Sequence, residues 1–359
     1  MMSERMVKSE LPTKDGSYGF ASPESILLPH QALPLLDLAK GMKQARNPPG
    51  NPPSAPRAPK EGLHPRNRHL LGYDFAALAK AFPPLRRHVR PNPHGNLSID
   101  YADPEAVKAL NRGLLALHYG IHEWDLPEGF LCPPIPGRAD YLHHTADLLA
   151  SEAAGKLPRG AGVRVLDLGT GANLVYPILG HQEYGWSFVG TETDPAALDW
   201  ASALVAANAP LKGFVELRHQ PDSRSVLGNI LRPGERFDLC LCNPPFHSSA
   251  REANEGNLRK LRNLSGKARP EKRLNFGGRS NELWCPGGEL AFIRRLISES
   301  AQLPQACLWF TSLVAKSEHL PALKEALLKA GVTRQRVIPM SQGQKQSRIL
   351  AWSFLPDNT

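Results

Sequence analysis

From residue 162 to the C terminus, short apolar runs alternate with stretches long enough for a helix, and few folds accommodate that alternation. The runs are "VRVLDLG", "SFVGTE", "GFVELRH", "FDLCLC", "ACLWFTSLV", "TRQRVIPM" and "SRILAWSFL". Short apolar, β-branched runs bounded by Gly, Pro or polar residues read as strands. The gaps between them hold helices such as 195–208, 289–302 and 318–330. Strands joined through helices run parallel, so the pattern predicts an α/β fold, a mostly parallel seven-stranded sheet with helices on both faces. Only "SQGQKQ" separates the last two runs, too little for a crossover, so the last strand is expected to be antiparallel.

The N-terminal part follows other rules. Residues 1–62 carry six prolines between Pro48 and Pro59, and the missing N–H groups argue for a disordered, basic, Pro-rich arm. A short helix at 24–43 is compromised by Pro29 and Pro34. Residues 63–157 space apolar residues at three and four in "DFAALAKAF" and "DPEAVKALNRGLLALHYG", a helical accessory region. There Asp103 is a good N-cap, with Pro104 in the first helical position. Residues 158–359 are the expected catalytic domain, interrupted by a basic loop at 247–285.

The charge balance bears on partners. Lys and Arg number 43 against 34 acids, a net charge of +9 that favours an anionic partner. Five cysteines (Cys132, Cys240, Cys242, Cys285, Cys307) form no CxxC pair, which argues against a disulfide framework or a Cys-rich zinc site. Reduced thiols in a cytoplasmic protein are expected. No signal peptide is legible in "MMSERMVKSELPTKDG", and no run approaches the ~18 apolar residues of a membrane span.

The first strand runs into "DLGTGAN", residues 167–173. Gly169 and Gly171 let the backbone turn sharply and approach a ligand at the carboxyl edge of the sheet. A nicotinamide fingerprint needs a third glycine at 174, where Leu174 stands. Glu192 follows Gly169 by 23 residues, at the end of the next strand, where a carboxylate accepts ribose hydroxyl protons. A nucleoside cofactor without a pyrophosphate fits this pair, and S-adenosylmethionine is such a cofactor. A plain tight turn is the competing explanation.

At residues 239–249, "LCLCNPPFHSS" places Asn243, Pro244, Pro245 and Phe246 directly after a strand. The lone pair of an adenine N6 is delocalised into the ring until hydrogen bonds to its amino protons draw it out. The Asn243 side-chain oxygen and the Pro244 carbonyl can accept those protons, with the two proline rings fixing the carbonyl's angle. Phe246 offers a flat face for a flipped base. No metal is required. Eight cations follow between Arg251 and Arg273 (Arg251, Arg259, Lys260, Arg262, Lys267, Arg269, Lys272, Arg273), against Glu252, Glu255 and Glu271. A long polar loop beside the tetrapeptide is placed to hold RNA phosphates. Arg66 and Arg68 in "HPRNRH", and Lys345 in "QGQKQSR", are further basic candidates. His118 and His122 lack a third ligand, Cys240 and Cys242 alternate on a strand as packing residues, and no Ser-His-Asp arrangement is legible.

With these motifs in hand the chain resembles the bacterial large-subunit ribosomal RNA adenine-N6 methyltransferases of the F type, named for adenine-1618 of 23S RNA. The resemblance runs from about 63 to 355 through "LHPRNRH", "LCPPIPGRADYLHH", "LDLGTGANLVYPILG", "TETD", "CNPPFHSS", "NELWCPGGE" and "QGQKQSRILAWSF". A eukaryotic relative that methylates adenine in a spliceosomal small nuclear RNA and in messenger hairpins shares the NPPF core. The resemblance implies a class I, Rossmann-like methyltransferase using S-adenosylmethionine, with 23S RNA or a large-subunit assembly intermediate as substrate; a monomer is expected, although nothing in the sequence fixes the oligomeric state. It implies that Arg138 contacts the donor's carboxylate or the substrate, and that Asp167, Gly169, Thr170 and Gly171 line the donor's methionine end. It further implies that Glu192 holds the ribose and that Asn243 to Phe246 are catalytic, with Asn243 also touching the donor.

Three other readings share some of these features. A glutamine-N5 methyltransferase also grips a planar NH2, but such enzymes usually carry Tyr where Phe246 stands. A DNA adenine methyltransferase typically has Asp at the position of Asn243. An RNA-binding module that had lost catalysis would be expected to lose the glycine turn, Glu192 or Asn243 first.

Overall fold

The protein is described by a computed structural model over residues 62–252, 280–342 and 345–356. Before the sheet come helix α1 (Phe75–Ala81), a two-stranded ribbon of β1 (Arg90–Pro91) and β2 (Leu97–Ser98), and helices α2 (Pro104–Tyr119) and α3 (Ile135–Ala150). Asp103 caps α2 by accepting from the Glu105 N–H at 3.0 Å, and Gly120 ends the helix in the left-handed region at φ 64°. The arm before residue 62 and the helix expected at 24–43 lie outside the described residues.

The sheet contains β3 (Arg164–Leu168), β4 (Ser187–Glu192), β5 (Val215–His219), β6 (Phe237–Cys242), β7 (Cys307–Val314), β8 (Arg334–Gln342) and β9 (Lys345–Ser353). Their order is β5-β4-β3-β6-β7-β9-β8. All the adjacent pairs from β5 through β7 are parallel, and β9 runs antiparallel to both β7 and β8. Each apolar run picked out in the sequence is a strand, and the hairpin across "SQGQKQ" inserts the last strand between β7 and β8. Helices α4 (Val175–Tyr184) and α5 (Pro195–Ala207), the short α6 (Ser280–Leu283), then α7 (Gly288–Gln302) and α8 (Leu320–Lys329) fill the connections.

Successive strand residues point to opposite faces, and the core divides accordingly. Val165, Leu239, Leu241 and Trp309 pack with residues of α1 to α5. Leu166, Leu168, Cys240, Cys242 and Phe310 pack with residues of α7 and α8. The N-terminal helices therefore share one cluster with a face of the sheet. Cys240 and Cys242 are fully buried, and burial pushes both thiols well above their ordinary pKa, which suits packing residues.

Helix α3 also reaches the end of β6. The wholly buried Tyr141 hydroxyl accepts from the Cys242 N–H at 3.2 Å and meets the Thr311 hydroxyl at 2.7 Å, while Thr311 donates to the Cys240 carbonyl at 2.7 Å. Tyr141 thus fixes the strand one residue before Asn243. Replacing it with Phe removes an acceptor for a buried N–H, at a cost of about 1–3 kcal/mol. Tyr141→Phe is expected to lower unfolding stability by that amount in chemical denaturation; an unchanged midpoint would show that the hydroxyl does not hold β6.

Candidate active site

The direction of chain progression through the sheet reverses between β3 and β6. β3 pairs with β4 on one side and with β6 on the other, and Leu168 stands opposite Cys242. The loops after these strands diverge and leave a crevice, the usual ligand position in open α/β sheets. A cavity of about 340 Å³ lies there, lined among others by Arg138, Gly169, Thr170, Gly171, Glu192 and Asn243. Six residues expected from the sequence to bind a cofactor thus line one cavity. Asp167, the seventh, is fully buried and is not among the lining residues.

Backbone geometry shapes the turn. Gly169 and Gly171 have φ of 71° and 65°, and no atom lies within 4 Å of where a Cβ on Gly169 would stand. Glu192 secures the turn, its Oε2 accepting from the Gly171 N–H at 3.0 Å and its Oε1 from the Thr193 and Asp194 N–H groups at 2.7 and 3.0 Å. Oε2 keeps one lone pair for a ligand hydroxyl. Leu174, where a third glycine was considered, adopts φ 53° and starts α4. Its side chain is fully buried, so core packing offsets the left-handed backbone.

Buried polar atoms in proteins almost always have partners, yet several here have none. Both Asp167 carboxylate oxygens, Arg138 Nε, Thr170 Oγ1, Asn243 Oδ1 and Trp284 Nε1 are solvent-inaccessible and have no hydrogen-bond partner among the described residues. Arg138, from the first turn of α3, donates from Nη1 to the Tyr176 hydroxyl at 2.9 Å and stacks 5.6 Å from its ring centroid. No carboxylate among the described residues pairs with it. Burial pushes the Asp167 pKa from 3.8 to about 7, with Thr170 and Arg138 drawing it down and Glu192 adding to the rise. A cation and a carboxyl group held apart and unpaired suit a ligand carrying both signs of charge.

In the tetrapeptide, Pro244 and Pro245 are buried and Asn243 and Phe246 half-buried. Asn243 and Pro245 line the cavity, whereas Pro244 and Phe246 are not among its lining residues. The segment after the basic loop completes the wall. His247 donates its N–H to the Leu283 carbonyl at 3.1 Å and accepts from the Cys285 N–H at 3.1 Å, which sets Trp284 beside it. Glu282 Oε2 accepts from the Leu131 N–H at 3.2 Å. Glu299 of α7 accepts from the Val226 and Leu227 N–H groups at 2.9 and 2.6 Å, holding the loop after β5 that carries Val226 into the cavity wall. Reading motifs did not single out Glu282, Trp284 or Glu299. The only sequence signal for the first two was the segment "NELWCPGGE", to which no role attached.

The basic residues are distributed differently. Arg66 donates to Asp147 at 2.7 Å and to the His143 carbonyl at 2.9 Å, and Arg68 donates to Glu183 at 2.6 Å. Arg251 is exposed on the segment after the tetrapeptide. Arg259, Lys260, Arg262, Lys267, Arg269, Lys272 and Arg273 lie outside the described residues, and only the backbone of Lys345 is described. The segments "LHPRNRH" and "QGQKQSR" meet along a second cavity of about 370 Å³, lined by His64, Pro65, Ser341, Gln346, Ser347 and Arg348. Arg348 pairs with Val314 at the carboxyl end of β7, so this cavity shares the functional edge of the sheet. Among the described residues no group of three or more His, Cys, Asp or Glu could hold a metal ion, and no helix is long and apolar enough to cross a membrane.

A crevice at the switch point, a glycine turn, an acid on the next strand and Asn-Pro-Pro-Phe after β6 define a methyltransferase-type site. A family model described as RNA methyltransferase matches residues 57–356, and the chain belongs to that family. Ribosomal RNA large subunit methyltransferase F of Ectopseudomonas mendocina is 55% identical over 316 residues, covering 84% of this chain and 95% of the relative. The protein of the same name from Aeromonas salmonicida is 56% identical over 299 residues, 83% of this chain and 93% of its own. Among solved structures, the hMettl16 catalytic domain in complex with MAT2A 3'UTR hairpin 1 superposes with a TM-score of 0.70 at 35% identity, over 83% of this chain and 98% of that one. The N-terminal domain of human METTL16 in complex with SAH gives 0.65 at 31% identity, over 82% and 99%. The Rossmann-like methyltransferase fold follows.

Between pH 3.8 and about 7 the folded protein keeps the Asp167 proton that the unfolded chain has released. Asp167 therefore lowers stability progressively as pH rises through this window. Asp167→Asn is expected to raise Tm of the ligand-free protein at pH 8, with the gain shrinking toward pH 4; a gain independent of pH would show that this carboxyl does not titrate there.

Proposed function

We propose that this protein transfers a methyl group from S-adenosylmethionine to the N6 amino group of an adenine in 23S ribosomal RNA, adenine-1618 by its likeness to the F-type enzymes. The observation that carries the reading is one cavity in which a glycine turn clamped by Glu192 lies beside the unpartnered Asn243 Oδ1. The unpartnered atoms fit the donor. Arg138 would pair with its carboxylate, Thr170 would accept from its ammonium with the Asp167 carboxyl buried behind the turn, and Glu192 Oε2 would accept from a ribose hydroxyl. Gly169 and Gly171 give the methionine end room. Bound there, S-adenosylmethionine supplies an electrophilic methyl group carried on a sulfonium.

The residues after β6 act on the acceptor. Asn243 Oδ1 and the Pro244 carbonyl take hydrogen bonds from the amino protons, which frees the N6 lone pair from the ring. Catalysis is then positioning plus preorganised acceptors in a site shielded from water. Phe246 stacks on the flipped base as it enters. Arg251 and the cations from Arg259 to Arg273, which follow the tetrapeptide in the sequence, are the residues that hold phosphates, and Lys345 and Arg348 of β9 add to them. Arg66 and Arg68 meet RNA while keeping their ion pairs with Asp147 and Glu183. The enzyme works as a monomer in the cytoplasm, on naked RNA or an assembly intermediate.

Asn243→Ala is expected to lower turnover by about 10²–10³-fold while the donor still binds, measured by single-turnover kinetics and calorimetry. Turnover within tenfold of wild type would remove Asn243 from the chemistry. Replacing Arg259, Lys260 and Arg262 together by Gln is expected to weaken RNA binding and to flatten its log–log salt slope by roughly 2, at about 0.7 per phosphate contact. An unchanged slope would exclude these side chains as phosphate contacts.

A further inference from the structure

The unpartnered polar atoms around the cavity fall into two sets. Those of Thr170 and Arg138 stand at the glycine turn and are assigned to the donor, with the Asp167 carboxyl buried behind them. Asn243 Oδ1 and Trp284 Nε1 remain, an acceptor and a donor, each cut off from solvent and each without a partner among the described residues. Both residues line the same cavity. Asn243 is assigned to the amino group of the base, whereas nothing so far uses the indole N–H.

The backbone places Trp284 on the acceptor side. Leu283 and Cys285 clasp the backbone of His247, which follows Phe246 directly, so Trp284 runs alongside the residue next to the tetrapeptide. The contact is close: a Cβ added at Gly288 would come within 3.2 Å of Ser248 N and 3.3 Å of His247 C. Glu192 ends β4, with β3 standing between it and β6. At about 4.8 Å per strand, the ribose-holding carboxylate is roughly 10 Å from the end of β6.

Resting on the adenine-N6 reading, we infer that Trp284 is a specificity-determining residue that donates its indole N–H to a ring nitrogen flanking the amino group of the target base. Adenine presents an N6 donor beside the acceptors N1 and N7, complementary to Asn243 Oδ1 and Trp284 Nε1. Guanine and uracil place a carbonyl oxygen where Asn243 needs a donor; on the N1 (guanine) or N3 (uracil) side a ring N–H also opposes the indole N–H, whereas guanine N7 would still accept it and the rejection there rests on Asn243 alone. Both would leave buried groups unpaired, the most effective form of rejection. Cytosine carries the same donor and acceptor as the N6/N1 edge, so this pair does not separate it from adenine.

Trp284→Phe keeps an aromatic side chain and deletes the N–H. The test measures kcat/KM for wild type and variant on RNA carrying adenine, 1-deazaadenine or 7-deazaadenine at the target position, together with the donor Kd. The variant is expected to lose about tenfold on adenine RNA, with donor affinity unchanged as evidence of intact folding. It is expected to lose nothing further on the one deaza RNA that lacks the nitrogen bonded to Trp284, and tenfold again on the other. Equal losses on all three RNAs, no loss on any, or a loss located in donor affinity would overturn the inference. Failure of the underlying reading shows separately, as wild-type protein that leaves no methyl on N6 of the adenine RNA.

Discussion

The parallel pairing of β3 with β6 is the constraint on which the site depends. It sets Leu168 opposite Cys242 and so brings together two loops more than seventy residues apart in the chain. Both strands are almost wholly buried, and a one-residue slip would exchange their two faces. The register, and with it the position of Asn243 relative to Gly169, is therefore fixed by the core rather than by the loops themselves.

Helix α3 reinforces the same junction. Arg138 and Tyr141 are three residues apart and so share a helix face; one enters the cavity and the other holds the end of β6. The N-terminal helices thus contribute part of the site as well as packing against the sheet. The cost sits in the electrostatics. Asp167 and Arg138 are buried without satisfying each other, an arrangement that trades stability of the empty protein for charges already placed to receive a ligand.

The strands and the Gly169, Gly171, Glu192 and Asn243 constellation were legible in the sequence because each rests on local pattern: apolar runs, a turn requirement, and residues at strand ends. Arg138 was reachable only through family likeness, since its place depends on how α3 packs. Tyr141 and Trp284 lay inside segments carried by family likeness but had no role attached, and Glu299 gave no signal, because each acts on a segment distant in the chain and carries no periodicity that marks its role. Charge was the least specific guide: Arg66 and Arg68 read as phosphate binders, and the ion pairs they make with Asp147 and Glu183 were not legible from charge alone. Glu192 carries more than its strand-end position suggested, since it also holds the backbone of two turns.

Methyl transfer to adenine N6 in ribosomal RNA is the central claim, and the identity of the labelled product tests it most directly. Purified protein is given S-adenosylmethionine labelled in the methyl group and ribosomal RNA from cells lacking the enzyme, and the RNA is digested to nucleosides. The account predicts label in N6-methyladenosine, from 23S RNA alone. Label in another nucleoside, or in a protein fraction with none in RNA, would contradict it.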